Sequence, residues 1–162
     1  MSYDESYKMA KPETSDFGSV DPAPPSKSKN IEELNSILVD ENARMFERMR
    51  VVFSLRNEGS IESIESLSNG FRSNSALLKH EIAYVMGQMQ NKKALPYLIE
   101  RLEDESEHVM VRHEAAEAIG AIGCLSSKQV LEKYLNHKLP EISESCEVAL
   151  DLLLHYNKDS FD

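Results

Sequence analysis

The sequence predicts an all-α protein built as an α-solenoid of stacked helical hairpins, and three observations carry that reading. Aromatic residues make up only 7% of the chain and Trp is absent, while Ala, Leu, Ile, Met, Glu and Lys dominate its second half, a composition that favours helix over sheet. The segments LLKHEIAYVMG (77–87) and MVRHEAAEAIG (110–120) align His with His, Glu with Glu and Gly with Gly at an offset of 33 residues, which is a repeat period. Between and after them lie ALPYLIERLED (94–104) and SSKQVLEKYLN (126–136), each amphipathic and each placed to be the partner helix of a hairpin.

Taken in order, residues 1–30 are polar and rich in Ser, Asp, Lys and Pro, ending in the run SVDPAPPSKSKN. Too little apolar surface is present to offset ordering entropy, so a disordered linker or tail is expected there. From Ile31 the spacing becomes helical through Leu34, Ile37 and Leu38, and Phe46, Met49, Val52, Phe53 and Leu55 continue it. Asn57, Glu58 and Gly59 mark a turn. Fainter copies of the repeated helix flank the central pair: ERMRVVFSLR (47–56) and PEISESCEVAL (140–150), each at an offset of 31. A period slightly above thirty with two helices per unit predicts a HEAT-like helical-repeat domain over 31–157, with about four hairpins, and a short tail over 158–162. No single hairpin buries its own apolar face; stacking supplies the core.

Net charge and cysteine use narrow the function. The formal charge of -10 argues against nucleic acid, which needs clustered Lys and Arg, and favours a basic partner. Cys124 and Cys146 lie in different repeats without CxxC spacing, so both are expected to be small buried residues rather than a disulfide or thiolate site. The opening MSYDESYKMAK has no apolar signal core, and no stretch approaches the length of a membrane span. A cytoplasmic protein that engages no membrane is expected.

The chemistry lies in two His-Glu pairs, His80-Glu81 and His113-Glu114. A single such pair on a helix is ordinarily a solvated polar pair. Two in register differ from that, because the flanking copies read Met49-Arg50 and Glu144-Ser145 at the aligned positions, so the repeat does not itself demand His-Glu. Equivalent positions on neighbouring packed helices stand roughly 8–10 Å apart, a gap that two His side chains can close around one ion. Imidazole nitrogen with carboxylate oxygen suits iron, manganese or zinc, and two His with one carboxylate is the pattern of non-haem Fe(II) oxygen chemistry, which favours iron with zinc second. The small residues Ala83, Ala115, Ala116, Gly87 and Gly120 fit close helix packing. Neither HEIAY nor HEAAE completes an HExxH zinc-protease helix. His108 and His137 fall in turns as solvated residues, and His155 sits where it helps end the last helix.

The spans SVDPAPP, FERMRVVFSLRN, SALLKHEIAYVMGQMQ, MVRHEAAEAIGAIG and ESCEVALDLL, between Phe17 and Tyr156, together resemble the linker and second half of the deoxyhypusine hydroxylase family. The resemblance implies an oxygen-dependent HEAT-repeat monooxygenase with a di-iron centre, which hydroxylates the deoxyhypusine side chain of a translation factor in hypusine biosynthesis. By position it implies that His80, His113 and Glu114 are ligands of one iron, and that Glu81 is a carboxylate placed to hold the substrate amine or assist the metal, hence the catalytic candidate. The family has two pseudo-symmetric halves with two His-Glu pairs each, and this chain supplies one. Three accounts follow, ranked in this order: a truncated product, a half-length form that dimerises to assemble two irons, and a half that keeps only a binding surface. The competing classes are a non-catalytic HEAT-repeat protein-binding scaffold and a zinc hydrolase with Glu81 as general base.

Overall fold

The computed structural model describes residues 10–158. Among them the chain forms eight α-helices in four consecutive hairpins: α1 (Ile31–Val39) with α2 (Met45–Glu58), α3 (Ile61–Asn69) with α4 (Ala76–Met89), α5 (Leu95–Glu103) with α6 (Val109–Ile122), and α7 (Lys128–Lys133) with α8 (Pro140–Tyr156). The all-α repeat reading holds, and the aligned copies are α2, α4, α6 and α8.

Local sequence explains the boundaries. The helical spacing that runs from Ile31 past Phe46 is interrupted over 40–44, where Asp40 is extended and its backbone N–H closes on Ile37 O, so one expected run becomes a hairpin. Side chains of Asn30, Ser60 and Ser75 accept from backbone N–H groups of Glu33, Ser63 and Leu78 and start α1, α3 and α4. His108 and His137, expected only as solvated turn residues, accept through Nδ1 from the N–H groups of Met110 and Leu139 at the entrances to α6 and α8. The left-handed residues Gly59 and Gly123 end α2 and α6. The segment 126–136 gives only the six residues of α7, because its first turn is 3₁₀.

The even-numbered helices pack in succession, α2 on α4, α4 on α6 and α6 on α8, while α1 packs on α3. Leu78, Ile82, Ala83, Ala115, Ala116 and Ile119 are fully buried between these layers. A Cβ on Gly87 would stand 3.0 Å from Ala118 Cα, and one on Gly120 would stand 2.8 Å from Ala149 Cα. Glycine is therefore what lets α4 meet α6, and α6 meet α8, at backbone distance. In α2 the aligned position is Arg56, whose buried guanidinium instead binds Asp21, Gln88 and Asn57. Arg48 and Arg112, another aligned set, each donate through Nε to a carbonyl ten residues back, Leu38 O and Leu102 O, both at 2.9 Å, and so satisfy the ends of α1 and α5. Lys79 stands at that position in α4 and instead binds Glu107, which Arg101 also holds. Burial works to raise the Glu107 carboxyl, yet Lys79, the His108 N–H and Arg101 keep it below the usual carboxylate range.

One expectation, the burial of Cys124, needs correction. Residues 10–30 contain no helix, which matches linker composition, but they do not stand away from the domain. Asp21 pairs with Arg56 at 2.6 Å, Ser26 N–H donates to Ser54 Oγ at 2.7 Å, Arg50 donates to Pro24 O and Pro25 O, and Ala23 is buried in the core. Polar contacts, which an apolar count does not register, hold this strap. Residues 1–9 of the expected tail, and 159–162 at the other end, lie outside the described residues. Cys146 is buried, with its thiol pushed up to about 11 by burial. Cys124 is instead half-exposed, because it sits in the turn after α6.

Candidate metal centre

The His-Glu pairs lie in the first half of α4 and of α6. The close packing that Gly87 permits brings those two helices within reach of each other's side chains. His80 Nε2 stands 3.1 Å from Glu114 Oε2, across the repeat boundary, and His113 Nε2 stands 3.8 Å from the same oxygen. One carboxylate oxygen is thus shared by two imidazoles from adjacent repeats. Glu81 Oε2 lies 3.6 Å from His80 Nδ1 on the other side of the ring. The four sequence candidates thus form a chain of pairwise contacts across the two helices, Glu81 to His80 to Glu114 to His113.

The geometry follows a translational rule. The residue at the Glu position of one repeat reaches the His position of the repeat before it: Glu114 reaches His80, and Ser145 reaches His113 at 2.6 Å. Glu81 would correspondingly reach toward Met49, which offers no imidazole. It is therefore the one carboxylate of the pairs without a His in the preceding repeat.

Sequence reading missed Glu117. It lies four residues after His113 on the same helical face, with Oε1 3.7 Å from His113 Nδ1, and His113, Glu114 and Glu117 each offer one ligand atom within 4.8 Å of the others. The i, i+4 spacing was the available signal, but Tyr84 and Val148 occupy that position in the neighbouring copies, so the repeat comparison gave it no support. Beside these residues, a groove of about 490 Å³ is lined by Val109, Met110, His113, Glu117, Glu141, Glu144, Ser145 and Val148.

The group of His113, Glu114 and Glu117, one imidazole with two carboxylates, fits a borderline cation such as iron or zinc, and His80 Nε2 stands beside it at 3.1 Å from Glu114. On the ring's other side His80 Nδ1 has no hydrogen-bond partner among the described residues, and Glu81 Oε2 stands 3.6 Å from it. Without a cation, His80 rises from 6.5 to about 9, chiefly through the Glu114 carboxylate and then Glu81, against the opposing effect of burial. The pairing therefore stabilises the metal-free protein fully below pH 6.5 and ceases to do so as pH rises through about 9. Metal binding runs the other way, because the ligating imidazole must shed its proton. An NMR titration of metal-free protein should show His80 titrating near 9, Glu114→Gln should move it toward the ordinary imidazole range, and iron uptake at neutral pH should release protons.

The sequence profile of HEAT repeats matches residues 64–151, which covers α4 through most of α8 and more than half of the chain. The chain belongs to the HEAT-repeat family. Within it, this HEAT-repeat protein is homologous to deoxyhypusine hydroxylase. It is 46% identical to the zebrafish (Danio rerio) deoxyhypusine hydroxylase over 145 residues, covering 90% of this chain and 48% of the relative. It is 45% identical to that of Candida albicans over 154 residues, covering 93% and 48%. The solved human deoxyhypusine hydroxylase in complex with glycerol superposes with a TM-score of 0.85 at 41% identity, over 90% of this chain and 50% of the human one. The chain thus spans about half the length of the curated relatives it matches. No helix of the described residues is long and apolar enough to cross a membrane.

Proposed function

We propose that this chain is one half of an iron-dependent deoxyhypusine monooxygenase, acting in the cytoplasm on the deoxyhypusine side chain of a translation factor. The observation that carries the reading is the convergence of His80, His113 and Glu114, from two adjacent repeats, on a single carboxylate oxygen. Homology to half of deoxyhypusine hydroxylase supports the choice of reaction.

Iron held here would supply dioxygen activation, the chemistry that unassisted side chains lack. The residues of this chain do the rest. The His80 and His113 imidazoles and the Glu114 carboxylate hold the ion. Glu81, which has no imidazole to serve in the preceding repeat and stands 3.6 Å from His80 Nδ1, accepts a hydrogen bond from the substrate's cationic amine and fixes the carbon to be hydroxylated. The acidic chain favours approach of that polyamine-like side chain. A two-iron centre needs a second set of His-Glu pairs, supplied by the other half of the enzyme or by a second copy of this chain as a homodimer.

The test is anaerobic reconstitution with Fe(II), metal analysis together with solution mass, and then incubation in air with a deoxyhypusine-bearing translation factor. About one iron per chain in an assembled pair of halves, with one oxygen atom gained by the substrate in mass spectrometry, supports the proposal. A chain that binds no iron, alone or paired, is a repeat scaffold instead. Hydrolytic activity in zinc-loaded protein that iron does not improve would mark the hydrolase.

A further inference from the structure

We infer that Ser145 is a positioning residue that fixes the tautomer of His113 and so turns the Nε2 lone pair toward Glu114. Ser145 lies in the second turn of α8, almost fully buried, in a repeat that carries Glu144-Ser145 in place of a His-Glu pair. Its hydroxyl has two close neighbours: Glu141 O at 2.5 Å and His113 Nδ1 at 2.6 Å.

The hydroxyl carries one proton, and a carbonyl oxygen can only accept. With that proton directed at Glu141 O, the contact to the ring is Nδ1–H donating to Ser145 Oγ. Glu117 Oε1, 3.7 Å from the same nitrogen, adds a negative charge that favours a proton there. In neutral His113 the lone pair then resides on Nε2, which faces the Glu114 oxygen that His80 also approaches. A hydrogen bond to the far ring nitrogen is the ordinary means of orienting a ligating imidazole.

The residue type matters as much as its place. By the translational rule of this stack, position 145 is where a Glu would sit, and a carboxylate there would tie His113 into an ion pair as Glu114 ties His80 in the metal-free protein. Serine supplies the acceptor without the charge. The Nε2 lone pair of His113 is thereby left facing the Glu114 oxygen.

The inference rests on the proposed iron reading for its metal arm only; its tautomer arm stands on metal-free protein. Long-range ¹H–¹⁵N correlation spectra of the metal-free chain, recorded where His113 is neutral, should show the Nδ1–H form in the wild type and in Ser145→Thr. A mixture with Nε2–H should appear in Ser145→Ala. Fe(II) affinity, measured anaerobically against a competing chelator, should fall roughly 10–100-fold in Ser145→Ala and hold in Ser145→Thr. A wild-type His113 protonated on Nε2 overturns the inference, whether or not the alanine variant folds. An alanine variant with unchanged tautomer and unchanged affinity overturns it as well. If the wild type shows Nδ1–H but no variant binds Fe(II), the iron reading fails while the tautomer assignment stands.

Discussion

Alanine at His113 is expected to weaken Fe(II) binding by more than the roughly 10–100-fold that follows loss of an outer-shell partner, and the double replacement of His80 and His113 to abolish it. Either change should remove hydroxylation from an assembled enzyme. The reason is geometric: the two imidazoles and Glu114 are brought together by one helix–helix contact, and no other imidazole is found there. His108 and His137 are engaged as helix caps. Stability should change little with His113→Ala, since this side chain remains 35% exposed and its hydrogen bond to Ser145 lies at the rim of the groove. His80→Ala differs, because it leaves the largely buried Glu114 with only the longer, 3.8 Å approach of His113. The pair of variants therefore separates metal loss from unfolding: His113→Ala should keep its thermal transition and lose iron. A scaffold would tolerate both changes with its partner binding intact. Equilibrium dialysis with Fe(II), alongside circular-dichroism melting on the same preparations, decides between the two.

That the two His-Glu pairs stood out as candidates in the sequence is owed to repetition. His80 and His113 share a register, and the flanking Met49 and Glu144 do not continue it, so the contrast isolates function from packing within one chain. Gly87 and Gly120 recur for a packing reason that the structure makes explicit. Two contributions were hidden for one reason: they do not repeat. Glu117 aligns with Tyr84 and Val148, and Ser145 aligns with the Glu of each pair while bearing no chemical likeness to it. The role of Ser145 emerges only when α8 is laid beside α6. α3 was not anticipated as a partner helix, because its apolar residues Ile61, Ile64 and Leu67 are diluted by Ser and Glu, although Ile64 and Leu67 are fully buried. The contacts of the strap are hidden from the sequence for a different cause. Apolar content predicts whether a segment can build a core of its own, and says nothing about ordering by a charge elsewhere that needs a partner.

That charge is Arg56, and removing its partner should produce the largest stability change outside the core. Its guanidinium is fully buried, 2.6 Å from Asp21, with further acceptors on Gln88 and Asn57, and it lies over the rings of Phe17 and Phe53. Burial alone would raise the Asp21 carboxyl; Arg56 and Ser19 hold it below the usual range instead, so this stabilisation is present at neutral pH and is lost as pH falls through the lowered value. Breaking a buried ion pair costs about 3–5 kcal/mol when the remaining charge stays buried. Here Gln88 and Asn57 remain, and the strap can peel away to admit water, so Asp21→Ala should cost nearer 2–3 kcal/mol by the same reasoning. For a domain of this size that is a fall of roughly 4–12 °C in Tm. Released from α2, the strap should become open to trypsin at Lys27 and Lys29. Adding Arg56→Met to Asp21→Ala removes the stranded charge, and most of the lost stability should return while trypsin sensitivity persists. If the double variant were as unstable as the single one, the contacts of the strap itself, rather than the need to neutralise Arg56, would be what holds this end of the solenoid together.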